Sequence, residues 1–281
     1  REAGRPQLRP LGLVLSGGLM AFPPAPYYTI YGIVRDQVGQ TLAVEGAQII
    51  LLKGQTEVGR APVVTGLQLD QNYEISLRID TGRPGTALYT SAAIQANTPY
   101  SLAVEMNGER FYPIEVAGTL TAGKGGERVR LDLNLGEDSD GDGLPDIWEQ
   151  WQLYQAGHYP DGNGVWPIHL IDRDGDFDGD GMSNWFEYVA GTFAGDATER
   201  IDMQIKEKTA SFVRLEFFAI TGKVYTIERS LNMQGWETVP FSFTAEGTPQ
   251  QVFVAEDVGI LPAFTIPTPG GAREFYRLTV R

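Results

Sequence analysis

The chain has 281 residues, a formal net charge of −14 and no cysteine. It is therefore long enough for two modest domains or one large one, and disulfides do not stabilise it. Hydrophobic residues make up 42% and charged residues 21% of the chain, a balance typical of a folded protein. The acidic surplus argues against nucleic-acid binding because phosphates repel such a surface, and no apolar run reaches the roughly 20 residues of a membrane-spanning helix.

The first 26 residues are predicted to form an N-terminal extension. Arg1, Arg5 and Arg9 precede an apolar run over residues 11–22, and prolines follow it. Leucines in this run recur at even spacing, which places them on one side of an extended strand. Three interpretations stay open: the remnant of a secretory leader, a strand that packs on its own domain, and a donor strand that inserts into a neighbouring copy through residues 11–22.

Residues 27–136 are predicted to form an antiparallel β-sandwich. Apolar and polar residues alternate in segments separated by Gly, Asn, Asp or Pro: YTIYGIVRD, GAQIILL, NYEISLRID, YSLAVEMNG, RFYPIEV and RVRLDLNL. The opening YGIVRDQVGQTLAVEGAQIILL resembles the first two strands of carboxypeptidase-regulatory-like domains in surface proteins. That resemblance implies an immunoglobulin-like sandwich.

Residues 201–281 are predicted to form a second sandwich. The strand segments are SFVRLEFFA, KVYTIERS, GWETVPFSFT, QQVFVAE and REFYRLTV. The run KVYTIERSLNMQGWETV, closed by REFYRL, resembles a fibronectin-like C-terminal module of secreted bacterial proteins. It implies packed antiparallel sheets.

The negative charge is concentrated between the two predicted sandwiches, in a segment taken as residues 137–200. Positions 137–187 contain thirteen acidic residues and one basic residue, Arg173, so this stretch carries −12 of the net −14. It also holds four of the five tryptophans: Trp148, Trp151, Trp166 and Trp185. A solvated acidic tail does not normally contain so many large aromatic residues. We therefore expect a cation to neutralise the carboxylates so that the aromatics can pack.

The first part of this segment, DSDGDGLPDIWE, fits the twelve-residue calcium loop of the EF-hand type. Oxygen ligands fall at loop positions one, three, five and nine, Gly143 at six permits the sharp turn, and a glutamate at twelve chelates with both oxygens. Position seven contributes its backbone carbonyl. The predicted ligands are Asp138, Asp140, Asp142, Leu144, Asp146 and Glu149.

A second stretch, DFDGDGMSNWFE, fits the same template. Its predicted ligands are Asp176, Asp178, Asp180, Met182, Asn184 and Glu187. A register that starts at Asp172 is less favourable, because it puts Phe177 where glycine is needed and Ser183 at position twelve. Asp172 and Asp174 either contribute to a third calcium site or are solvated.

Each loop is expected to lead into a short helix. Pro145 suits the first helical position, and Ile147, Trp151 and Tyr154 share one apolar face of the first helix, which Gly157 ends. Ser183 is the predicted cap of the second helix, which Gly191 ends. The segments LDLNLG before the first loop and WPIHLI before the second are predicted to be strands, so neither loop is expected to have an entering helix.

These loop–helix units resemble the calcium repeats of thrombospondin type 3 and dockerin domains in large secreted bacterial proteins. The resemblance covers about residues 136–195 and is carried by DSDGDGLPDIWE and DFDGDGMSNWFEYVAGT. It implies calcium as the cofactor and a secreted or cell-surface location. The helices lack the paired Ser/Thr and Lys/Arg recognition positions of dockerins, so cohesin docking is not implied.

The sequence therefore predicts a mainly β protein with two antiparallel β-sandwich domains, a calcium-binding loop–helix connector and an extended N-terminal strand. With no G-x-S-x-G nucleophile motif, no cysteine and no glycine-rich phosphate loop, we expect a non-enzymatic role. The favoured function is an extracellular structural subunit of a surface filament. The alternative is a glycan-binding or adhesive module of a larger secreted protein, with tryptophans stacking on sugar rings.

Overall fold

The computed structural model describes residues 26–65, 70–82, 88, 90–117, 119–268 and 273–281. Within these ranges the protein is mainly β, with several sheets and two α-helices. None of the helices in the described ranges is long and apolar enough to cross a membrane. The predicted N-terminal strand over residues 11–22 lies outside the described residues.

The first group of strands lies between residues 28 and 134. Its members are β1 (Tyr28–Gly32), β2 (Val34–Arg35), β3 (Gln48–Lys53), β4 (Thr56–Pro62), β5 (Tyr73–Leu77), β6 (Pro99–Met106), β7 (Glu109–Phe111), β8 (Leu120–Thr121), β9 (Arg128–Arg130) and β10 (Leu133–Asn134). They form three sheets: β5-β1-β9, β2-β10, and β4-β3-β6-β7 with β8 beside β6. Alternate residues of β1 and β5 are buried, and they join the inward side chains of β3 and β6 in one hydrophobic cluster.

Two pairings in this group differ from the expected antiparallel arrangement. β1 runs parallel to β9, with Ile30 opposite Val129, and β2 runs parallel to β10, with Val34 opposite Leu133. Parallel neighbours need a long crossover, which the chain supplies through β3 to β8. Local alternation of apolar and polar residues does not reveal which distant strand a segment will join.

The expected strand RFYPIEV is shorter than predicted. Only β7 is extended, and a 3₁₀ helix follows at Ile114–Ala117. Pro113 accounts for the change, because it has no N–H to donate to a ladder, and its carbonyl accepts a hydrogen bond from the N–H of Val116.

The acidic segment contains both α-helices, α1 (Asp146–Gln155) and α2 (Asn184–Ala190). The predicted strand WPIHLI is wrong: Ile168–Leu170 form a 3₁₀ helix, whose turn starts from Pro167. Pro145 is the N-cap of α1 rather than its first residue, and Gly157 follows the helix with φ +84°. Ser183 caps α2 as predicted, since its Oγ accepts a hydrogen bond from the Phe186 N–H, and Gly191 ends the helix with φ +82°.

The C-terminal strands are β11 (Met203–Lys208), β12 (Val213–Ala219), β13 (Val224–Ser230), β14 (Glu237–Thr238), β15 (Phe253–Val254), β16 (Gly259–Thr265) and β17 (Phe275–Val280). They form the sheets β11-β12-β16 and β14-β13-β15, with β17 beside β13. The predicted strands GWETVPFSFT and QQVFVAE are much shorter than expected: only the two-residue strands β14 and β15 form within them. Val213, Leu215, Phe217 and Ala219 of β12 point into a cluster that also holds Tyr225 and Ile227.

Buried apolar side chains form three main clusters along the chain. The first spans Tyr28 to Leu135, the second Leu144 to Ala194 and the third Ala190 to Val280. Ala190 of α2 belongs to the third cluster, whereas Tyr188 and Val189 of the same helix belong to the second. α2 is therefore the element at which the acidic segment meets the C-terminal sheets.

Candidate metal centre

The first predicted calcium loop folds around its aspartates. Single carboxylate oxygens of Asp138, Asp140 and Asp142 lie within 4.8 Å of one another. Asp138 accepts hydrogen bonds from the N–H groups of Gly141 (2.8 Å) and Gly143 (3.0 Å), which wrap the loop around this side chain. Gly143, at loop position six, has φ +96°, a conformation that strains any other residue.

The position-nine side chain closes this loop from the helix side. Asp146 Oδ1 accepts a hydrogen bond from the Ser139 N–H (2.8 Å), and its Oδ2 accepts one from the Ser139 hydroxyl (2.7 Å). A side chain so engaged suits the position-nine role in which a water links the residue to the ion. Leu144, at position seven, is buried in the loop, and its N–H donates to Asp142 Oδ1 (2.7 Å).

The second loop repeats this geometry position by position. Asp176, Asp178 and Asp180 form the second group of carboxylates within 4.8 Å. Asp176 accepts from the N–H groups of Gly179 (2.8 Å) and Gly181 (2.9 Å). At position nine Asn184 accepts from the Phe177 N–H (3.1 Å), and at position seven the Met182 N–H donates to Asp180 (2.6 Å).

The position-twelve glutamates point to a cation most directly. Glu149 and Glu187 are fully buried, and none of their four carboxylate oxygens has a hydrogen-bond partner among the described residues. Burial, reinforced by the nearby aspartates, raises the pKa of Glu149 to about 9 and that of Glu187 to about 8. An ionised carboxylate that is buried and unpaired costs several kcal/mol, so a bound cation is the partner that would let these two groups stay ionised at neutral pH.

The donor set fits calcium. Every predicted ligand is an oxygen, the loops contain no histidine or cysteine, and two carboxylate oxygens at position twelve complete a site of six to seven oxygens. In the second loop Asp178 Oδ2 and Asp180 Oδ2 are also buried without a hydrogen-bond partner in the described chain. Arg200 Nε lies 3.7 Å from Asp180 Oδ2, too far for a hydrogen bond.

The possible third site gains no support from the described residues, where the two aspartate triads are the groups within metal-binding distance. Asp172 and Asp174 are exposed, and Asp172 Oδ1 accepts a hydrogen bond from the Asp174 N–H (3.0 Å). The main chain of this turn supports the second loop instead of binding an ion itself. The carbonyl of Asp172 accepts from Asn184 Nδ2 (2.6 Å), which fixes the position-nine amide of the second loop.

Sequence reasoning missed the role of Arg173. Its N–H donates to Asp142 Oδ2 (2.7 Å) in the first loop, and its carbonyl accepts from the Trp185 N–H (3.0 Å) behind the second. Its guanidinium lies 3.6 Å above the Trp185 ring. Arg173 thus bridges the two loops, and its position as the only base between residues 137 and 187 was the signal available in the sequence.

The predicted apolar face of α1 is wrong. Ile147, Trp151 and Tyr154 are 42%, 44% and 55% exposed, whereas the buried side of the helix carries Trp148, Glu149, Gln152 and Leu153. The helix turns Glu149 toward its loop, and this orientation buries Trp148 and exposes the other aromatics. Trp166 and Trp185 are half-buried against the cluster of the acidic segment.

Comparison with known proteins yields no match to a family model, to a curated protein or to a solved structure.

Proposed function

We propose that this chain is a non-enzymatic, calcium-binding extracellular structural protein. Two calcium ions, one in each loop, hold the acidic segment in a fixed conformation between an immunoglobulin-like and a fibronectin-like sandwich unit. The observation that carries this proposal is the burial of Glu149 and Glu187 with all four carboxylate oxygens lacking hydrogen bonds within the described chain.

Electrostatics support calcium as a structural element rather than a passing ligand. The segment over residues 137–187 carries a net −12, and two divalent ions reduce it to about −8. The ions bring carboxylates together that otherwise repel one another. Extracellular calcium modules bind with dissociation constants of about 10⁻⁴ to 10⁻³ M. At ten times that constant, each ion stabilises the fold by about 1.4 kcal/mol.

Calcium titration of the full chain tests the proposal. We expect two ions to bind, and the unfolding temperature to rise by several degrees between chelator and millimolar calcium. Glu149→Gln and Glu187→Gln each remove one carboxylate charge with little change of shape, so each variant should lose one ion. Glu246→Gln, an exposed position far from both loops in sequence, is the matched control and should bind two. A wild-type chain that binds no calcium under these conditions refutes the proposal.

Assembly through residues 11–22 remains part of the proposal as the route from a single rigid subunit to a filament. Deletion of residues 1–25 tests it, because it leaves β1 intact. The truncated chain should bind calcium as before but sediment as a monomer where the full chain forms oligomers. Oligomers of unchanged size after the deletion would remove this route.

The exposed aromatic side chains of the acidic segment favour glycan binding as a second candidate. Trp151, Tyr154 and Tyr159 are 44%, 55% and 64% exposed, and the rings of Tyr154 and Tyr159 contact each other at 87° with centroids 5.8 Å apart. Exposed aromatic rings of this kind stack on sugar rings. Glycan-array binding that is lost in Trp151→Ala, and retained in Trp236→Ala, would favour this function over a purely structural one.

A further inference from the structure

The short helix α2 connects the second calcium loop to both β-rich parts of the chain. Glu187, the position-twelve ligand, is followed directly by Tyr188, whose side chain is fully buried. The Tyr188 hydroxyl donates a hydrogen bond to the Asp36 carbonyl (3.1 Å) and lies 3.3 Å from Asn134 Oδ1. Asp36 follows β2 and Asn134 is in β10, so the contact reaches the N-terminal sheets.

The turn over residues 36–40 packs closely against Tyr188. Gly39 has φ +79°, and a Cβ atom at this position would lie 2.6 Å from the Tyr188 carbonyl and 3.1 Å from its ring. Asp36 Oδ1 holds the turn by accepting hydrogen bonds from the N–H groups of Val38 (3.0 Å) and Gln40 (2.9 Å). Close backbone contact of this kind tolerates little displacement of α2.

The C-terminal sheets meet the same point through Lys223. This side chain is 3% exposed, and its Nζ donates a hydrogen bond to the Gly39 carbonyl (2.8 Å). Gly191, which ends α2, lies so close to the Lys223 stem that an added Cβ would be 3.0 Å from Cε. We refer to residues 36–40, α2 and Lys223 together as the joint.

We infer that calcium binding at the second loop is energetically coupled to closure of the joint. By closure we mean the packing of Tyr188 against Asp36 and Gly39, so Tyr188 is the coupling residue. Without a cation, the three aspartates of the loop repel one another, and the buried Glu187 carboxyl has no hydrogen-bond partner among the described residues. Relief of that repulsion moves the N-terminal part of α2, and a displaced α2 cannot keep Tyr188 against Asp36 and Gly39. A cation reverses this movement.

The coupling is reciprocal, as linkage requires. If calcium favours the closed joint, then weakening the joint must weaken calcium binding at the second loop by the same factor. In the first loop the position-twelve residue, Glu149, is followed by the half-buried Gln150 and not by a buried tyrosine that donates a hydrogen bond to the turn. The inference rests on the proposed function, since it requires calcium in the second loop.

Calorimetric titration of the full chain with calcium chloride tests the inference. In the Glu149→Gln background the first loop is disabled, so the titration measures calcium binding at the second loop. There Tyr188→Phe should raise the dissociation constant for calcium about fivefold, because one buried hydrogen bond is lost. Tyr154→Phe, which removes an exposed hydroxyl from α1, is the control and should leave the constant unchanged. In the Glu187→Gln background, which leaves the first loop, Tyr188→Phe should have no effect.

Hydrogen exchange provides a second measurement that needs no substitution at Tyr188. In the Glu149→Gln variant, calcium should slow amide exchange over residues 36–40 at least fivefold, whereas in Glu187→Gln it should not. Equal calcium affinity of Tyr188→Phe and Tyr154→Phe, together with calcium-independent exchange in the turn, would overturn the coupling while leaving calcium binding intact. A wild-type chain that takes up no calcium instead overturns both the coupling and the proposed function.

Discussion

The rings of Trp148 and Tyr188 meet edge to face, with centroids 5.4 Å apart and an interplanar angle of 81°. Each is the immediate neighbour of a position-twelve glutamate, Trp148 before Glu149 and Tyr188 after Glu187. The two candidate calcium sites are therefore joined by one aromatic contact in the centre of the acidic segment.

Replacement of Trp148 by alanine should lower the free energy of unfolding by about 3–5 kcal/mol, because it empties the middle of this cluster. Urea denaturation in millimolar calcium measures the loss. Trp151→Ala, on the exposed side of the same helix, is the control and should cost about 1 kcal/mol or less. Equal losses for the two variants would contradict the packing described.

Alanine at Gly181 should weaken calcium binding at the second loop. Gly181 has φ +95° at loop position six, and alanine in this conformation costs about 1–2 kcal/mol, which corresponds to a rise of about five- to thirtyfold in the dissociation constant if the strain falls on the bound loop. Gly46→Ala is the matched control. Gly46 has φ +78° and open space where an added Cβ would lie, so this variant bears similar strain but should keep the wild-type calcium affinity.

Removal of the Arg173 side chain should loosen the contact between the two loops. The guanidinium lies over the Trp185 ring, and such an interaction contributes about 0.5–2 kcal/mol. Arg173→Ala should lower the unfolding temperature in calcium by a few degrees, whereas Arg173→Lys should retain part of the stability because it keeps a cation above the ring. The backbone bond from residue 173 to Asp142 survives in both variants, so both should still bind two ions.

The buried Lys223 should make stability depend on alkaline pH. Burial, helped by the nearby Arg35 charge, lowers the pKa of Lys223 from 10.5 to about 7. Between these values the unfolded chain binds a proton that the folded chain does not, so the free energy of unfolding rises with pH over this window. The slope for this one group is at most about 1.4 kcal/mol per pH unit.

Denaturant unfolding of the wild type and of Lys223→Met at several pH values between 7 and 10, in saturating calcium, isolates this effect. The difference in unfolding free energy between wild type and variant should shift in favour of the wild type as the pH rises. A difference that stays constant across the window would show that Lys223 remains charged in the folded chain.

The sequence predicted the parts of this protein whose structure is set by local contacts. The grouping of the aspartate carboxylates, the positive φ angles of Gly143 and Gly181 at the sharp turns, and the Ser183 cap all follow from residues that are close in sequence. Contacts between distant segments were not predictable in this way. Trp151 and Tyr154 have the spacing of a buried helical face, but the position of Glu149 decides which face turns inward.

Strands at sheet edges are also difficult to predict from local sequence. β4 contains Gly59 and ends at Pro62, β16 contains Pro262, and β11 is polar along most of its length, so none of the three carries a clear alternation signal. Each forms because its neighbour supplies the hydrogen-bond ladder: β3 for β4, and β12 for β11 and β16. Likewise Lys223 donates its hydrogen bond to the carbonyl of Gly39, which lies 184 residues earlier in the chain.

The parallel pairings of β1 with β9 and β2 with β10 determine how the N-terminal sheets respond to tension. The chain enters at the start of β1 and leaves at the end of β10, so traction on the two ends pulls neighbouring parallel strands in opposite directions along their length. Hydrogen bonds loaded in this manner are sheared together instead of opening one after another. A pulled molecule would therefore resist extension at these two parallel pairs, β1 with β9 and β2 with β10.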